Sequence, residues 1–105
     1  MKLGSLLLAV SLLVGTFGCS SSSSRTTTIA ALKGDAVAGK TIYTSNCSTC
    51  HGADAKTGTA GKNIAAEDST GAYAQIVSGG GGMPAFDSLS DQDIANVWAY
   101  VQTLK

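Results

Sequence analysis

Three side chains able to do redox or metal chemistry stand close together in the run Cys47-Ser48-Thr49-Cys50-His51. Two thiols separated by two residues can add to the two vinyl groups on one edge of a porphyrin. The imidazole beside the second thiol then projects beneath the ring toward the iron, so this is the pattern of covalent haem attachment. Other chemistries fit less well. A thioredoxin-like Cys-x-x-Cys sits in a βαβ setting, which the sequence does not offer. A closed zinc site needs four ligands, and the chain has one His and three Cys, with no second Cys/His pair. A plain disulfide between Cys47 and Cys50 suits an oxidising compartment but leaves a small domain with little core. The residues therefore point to one haem held through Cys47 and Cys50, with His51 as an axial ligand of its iron.

The other face of the iron can be closed by Met83, by a lysine, or by nothing. A Met in a small protein is usually gap-filling core. Met83, however, stands between Gly79-Gly80-Gly81-Gly82 and Pro84-Ala85-Phe86, a context of loop rather than core. His/Met ligation raises the reduction potential of a haem, and Met83 fits that role. Four glycines in a row also predict a soft loop, from which Met83 detaches readily at high pH or in mild denaturant.

These residues need elements to hold them. Asp35 is placed to cap a helix running to about Asn46, with Ala36, Gly39, Tyr43 and Cys47 on one face. Gly39 costs that helix about 1 kcal/mol relative to Ala and suggests the close approach of another backbone. Residues 52–63 read as loop, and residues 65–78 contain a short helix carrying Tyr73, Ile76 and Val77. Ser90 and Asp93 form a capping-box variant, with Leu89 and Ile94 spaced as a hydrophobic staple. Ile94, Val97, Trp98, Val101 and Leu104 then recur at helical spacing to Lys105. No segment alternates as a strand does, so the fold class is all-α.

The chain opens on Lys2 and an apolar run over residues 3–14. That run is shorter than the roughly 20 residues of a membrane span and has the form of a secretory signal. Gly18-Cys19 resembles the cleavage site of a bacterial lipoprotein, where the Cys becomes the acylated N-terminus. The expected division is a signal peptide over residues 1–18, a lipidated Cys19 with a flexible Ser/Thr tether over residues 19–32, and a folded domain over residues 33–105. If Cys19 is not acylated, the product is soluble and periplasmic. Ser20 is not the acidic residue associated with inner-membrane retention, which favours the outer membrane. The seven basic and seven acidic residues are interspersed, so no nucleic-acid footprint is present.

Together these features resemble the small monohaem c-type cytochromes of the His/Met class. The resemblance covers residues 33–105. It rests on Gly39 and Tyr43 before the attachment motif, on Cys47 to Gly52, on Gly82-Met83-Pro84-Ala85-Phe86, and on Val97-Trp98-Ala99-Tyr100-Val101. It implies a cytochrome c fold in which N- and C-terminal helices cross around one covalent haem c, Gly39 and Tyr43 meeting Val97 and Tyr100. It implies iron ligated by His51 and Met83, and a monomeric electron carrier rather than an enzyme. Redox partner proteins would meet the exposed haem edge near Cys47, Cys50 and the Met83 loop. The family commonly has a Gly-Pro after the haem motif, whose Pro carbonyl accepts the ring N–H of the axial His. Here the counterpart is Gly61-Lys62-Asn63-Ile64, so a backbone carbonyl near Lys62 is expected to serve instead. Two other functions compete: a haem-based sensor or peroxidase-like domain in which Met83 is displaced, and a thiol-disulfide oxidoreductase using Cys47 and Cys50.

Overall fold

The computed structural model describes residues 21–105; the proposed signal peptide and Cys19 lie outside the described residues. Five α-helices follow in order: α1 (Ser21–Ala30), α2 (Ala36–Asn46), α3 (Ser48–His51), α4 (Ser69–Ser78) and α5 (Asp91–Gln102), with a 3₁₀ turn at Ile64–Ala66 before α4. Among the described residues there is no strand, only an isolated bridge between Gly80 and Met83.

The helices begin where short polar side chains can satisfy their first N–H groups. Asp35 accepts from the Val37 and Ala38 N–H groups at 2.9 and 3.3 Å. Asp68 accepts from Gly71 N–H at 3.2 Å. At α5 the reciprocal capping box is complete, Ser90 Oγ accepting from Asp93 N–H and the Asp93 carboxylate from Ser90 N–H. Each such cap contributes about 1 kcal/mol. Helix α5 stops at Gln102 rather than at Lys105. Its end tightens into i→i+3 bonds from Thr103 N–H to the Tyr100 carbonyl and from Leu104 N–H to that of Val101, a common way of closing a helix whose last carbonyls lack partners.

The frame is the crossing of α2 and α5. A Cβ on Gly39 would lie 1.8 Å from the Asn96 carbonyl oxygen, so the two backbones touch and only Gly fits. One turn along, the rings of Tyr43 and Tyr100 meet with centroids 5.4 Å apart, tilted at 56°, a geometry that aromatic quadrupoles favour. Asn96 is buried too; its side-chain oxygen accepts from Asp35 N–H at 2.8 Å and from Gln92 Nε2 at 2.8 Å. The buried stripe of α5 that includes Ile94, Val97, Trp98 and Val101 completes the core.

Residues 21–30 depart from expectation. The sequence reads as a flexible tether; these residues form α1, which packs on α4 and α5. Ser and Thr are poor helix formers, so propensity does not explain it. Tertiary contacts do: Ile29 is fully buried, Thr26 is buried beside it, and the Arg25 guanidinium reaches the start of α5.

Candidate functional site

Helix α3 is one turn long and carries the motif. His51 N–H donates to the Cys47 carbonyl at 3.0 Å, and Gly52 N–H donates to that of Ser48 at 2.8 Å. Gly52 then ends the turn with φ +82°, a conformation that suits glycine. The following loop folds back on the motif. Ala60 N–H donates to the Cys50 carbonyl at 2.8 Å, and a Cβ on Gly58 would collide with the Cys50 and His51 backbone. Tyr43 Oη donates to the Gly52 carbonyl at 2.6 Å, so the α2 face and the motif are tied directly. Burial pushes the Tyr43 phenol up to about 12, which keeps this donor protonated.

Cys47, His51 and Met83 line one cavity of about 480 Å³, walled by Ile76 of α4 and by Val97, Trp98 and Val101 of α5. A volume of that order suits a cofactor. Cys50 does not line it but joins Cys47, His51 and Met83 at an adjoining cleft of about 270 Å³; its side chain is exposed, whereas Cys47 is half-buried. Burial also pushes the Cys47 thiol up to about 11. Burial lowers the His51 pKa, and the imidazole is neutral at pH 7, the form that binds a metal. Its Nδ1 is buried without a hydrogen-bond partner. The carbonyl expected near Lys62 is therefore not found at His51. Lys62 instead pairs with Glu67 at 3.0 Å, and both line the cavity.

The glycine run before Met83 is a tight turn. Gly80 N–H donates to the Met83 carbonyl at 2.8 Å and Met83 N–H to that of Gly80 at 3.1 Å. The central residues Gly81 and Gly82 take φ of +61° and +89°, both positive as a type I′ hairpin turn requires. At Gly79, with φ +67°, a Cβ would also meet the Met83 carbonyl oxygen at 2.6 Å. Sequence reasoning missed Gln75. Its Nε2 donates to the Gly80 carbonyl at 3.0 Å and lies 3.7 Å from Met83 Sδ. A lone Gln in a short helix carries no signal of that role. Among the described residues no group of three or more His, Cys, Asp or Glu gathers to hold a bare metal ion.

Residues 34–101 match the family model described as cytochrome C oxidase, cbb3-type, subunit III. The chain belongs to the cytochrome c family. The cytochrome is also 40% identical over 87 residues to cytochrome c6 of Picosynechococcus sp. (strain ATCC 27264 / PCC 7002 / PR-6), covering 68% of this chain and 74% of that protein. No solved structure matches it. Membership brings a covalently bound haem c and haem-based electron transfer with redox partner proteins. The residues present fit that group: Cys47 and Cys50 have the attachment spacing, a neutral imidazole follows at His51, the Met83 thioether lines the same cavity, and its walls are mostly apolar. This cytochrome is the small all-α type with α2 and α5 as its crossed helices.

Proposed function

We propose that the cytochrome is a monohaem electron carrier that holds its iron between His51 and Met83 and works at a membrane surface through an acylated Cys19. One observation carries the ligand reading: His51 and Met83, from segments thirty-two residues apart, line the same mostly apolar cavity together with Cys47. With both axial positions taken by protein, iron has no coordination site for substrate and cycles between oxidation states. The exposed Cys50 edge and the residues beside it, Gly81, Gly82 and Pro84, form the surface for redox partners. It is small and bears no charged side chain, as suits short-lived encounters.

No helix among the described residues is long and apolar enough to cross a membrane, and the lipid on Cys19 would supply the attachment. Helix α1 begins two residues after Cys19, so the lipid holds the domain close to the bilayer rather than on a long coil. The compartment proposed is the periplasm.

Intact mass and visible spectra of the protein isolated from a bacterial host test this reading. The expected mass lacks residues 1–18 and carries one haem and a lipid on Cys19. The oxidised spectrum shows the red-edge charge-transfer band of Met–iron ligation, and the reduced protein does not bind carbon monoxide at pH 7. Carbon monoxide binding would favour a ligand-binding haem protein. A mass without acyl chains would remove the anchor.

A further inference from the structure

We propose that Arg25 is a positioning residue for the Met83 loop, and that α1 acts as a buttress for the sixth ligand; the inference rests on Met83 ligating the iron. The Arg25 side chain leaves α1 and makes three bonds, two to the segment between the Met83 loop and α5 and one to the first residue of α5. Nη1 donates to the Asp87 carbonyl at 3.1 Å, Nη2 to the Leu89 carbonyl at 2.7 Å, and Nε to Asp91 Oδ1 at 2.8 Å. A guanidinium fork suits three such acceptors, since its donors are fixed in one plane. The bonds to Asp91 and Leu89 are half-buried and the one to Asp87 is exposed; the Arg25 and Asp91 side chains are 24% and 31% exposed.

The position of these acceptors gives the contact its consequence. Leaving Met83, the chain passes Pro84 and Ala85 to Phe86, whose N–H donates to the Ile76 carbonyl of α4 at 2.8 Å. It then turns, with Leu89 N–H donating to the Phe86 carbonyl at 3.1 Å. Arg25 holds the two carbonyls within and at the end of that turn. The entering side of the loop is held separately, by Gln75 on the Gly80 carbonyl. The two Gly80–Met83 hydrogen bonds close the turn itself, but its four glycines have no side chains with which to pack it against the rest of the domain, so its placement depends on its two ends. Gln75 of α4 secures one end and Arg25 of α1 the other. Ile29, fully buried four residues after Arg25, anchors α1 so that the fork has a fixed base.

The test uses the haem-loaded protein and cyanide, which binds ferric haem only after Met83 leaves. Apparent cyanide affinity therefore reports the fraction of molecules with Met83 released. Arg25→Ala is expected to tighten apparent cyanide binding about tenfold, as loss of charge-assisted hydrogen bonds implies. Asp91→Asn keeps both carbonyl bonds and is expected to change it much less. Should Arg25→Ala fail to fold, Arg25→Lys replaces it; a single ammonium cannot hold all three acceptors, and a severalfold tightening is expected. Unchanged cyanide affinity in a variant whose helix signal melts earlier would assign α1 to global stability alone and overturn the inference, as would equal effects of Arg25→Ala and Asp91→Asn. A wild-type spectrum without the charge-transfer band, unaltered by Met83→Ala, would instead overturn the ligand reading and this inference with it.

Discussion

At the scale of single residues, backbone angle and local donors decide more than side-chain size. Gly81 and Gly79 both have positive φ, +61° and +67°, but only Gly79 has backbone where a Cβ would go, whereas Gly81 faces open space. Gly81→Ala should therefore cost about 1 kcal/mol, the penalty of a left-handed L-residue. Gly79→Ala should cost more, because the Met83 carbonyl and the Ala85 nitrogen must also move. Thermal unfolding of the two haem-loaded variants checks the order, and a Gly81→Ala protein less stable than Gly79→Ala would contradict it. Asp54 gives a pH prediction in the loop after the motif. Its carboxylate accepts from the N–H of Lys56 at 3.0 Å, the N–H of Thr57 at 3.0 Å and the hydroxyl of Thr57 at 2.9 Å. These bonds hold its pKa below the ordinary 3.8. A lowered carboxylate pKa contributes stability that is present above the ordinary value and lost as pH falls through the lowered one. Amide protection at Lys56 and Thr57 should therefore fall in acid below pH 3.8 in the wild type, and Asp54→Asn should abolish that dependence. An acid step that persists in Asp54→Asn would assign it to another group.

At the scale of elements, the α2–α5 crossing is the feature on which the site depends, because α2 leads into the haem motif and α5 walls the cavity. Gly39→Ala places a methyl against the Asn96 carbonyl, 1.8 Å from the ideal Cβ position. The helices must separate, which breaks the Tyr43–Tyr100 contact and shifts the α5 wall. Overpacking of this kind costs up to about 3 kcal/mol, and a domain of this size loses roughly 4–8 °C in Tm per kcal/mol. Calorimetry should show a fall of more than about 10 °C at that cost, and a fall of only one or two degrees would mean the crossing yields easily. This crossing was legible in the sequence, since a Gly inside an otherwise regular helix and an aromatic four residues on imply a close backbone. The caps at Asp35 and Ser90 were legible for the same local reason, short acceptors placed three residues before free N–H groups. Helix α1 was not. Nothing in a Ser/Thr run predicts helix, and the contacts that order α1 come from α4, from α5 and from the Asp87 and Leu89 carbonyls, all far along the chain. The partnerless Nδ1 of His51 was illegible too, because it depends on how residues 61–64 turn rather than on what they are.

At the scale of the whole molecule, the question is whether so small a chain holds together by its own core. The fully buried large side chains are few, namely Tyr43, Ile29, Ile94 and Val101, and the centre is a cavity of about 480 Å³. Haem c brings apolar surface of its own against the walls of that cavity, so it serves as part of the core, and its covalent attachment stands in for the staples that domains of this length otherwise need. A chain with both Cys47→Ala and Cys50→Ala should keep α1 to α5 only weakly. Its far-UV helix signal should drop by half or more, and its amide spectrum should collapse into poorly dispersed peaks. Adding free haem should restore part of both signals through His51 and Met83. The same chain with Met83→Ala added should regain less. A double-Cys variant that stays well dispersed without haem would show that the α2–α5 crossing and the docked α1 suffice, and would shift the weight of the fold from the cofactor to the helices.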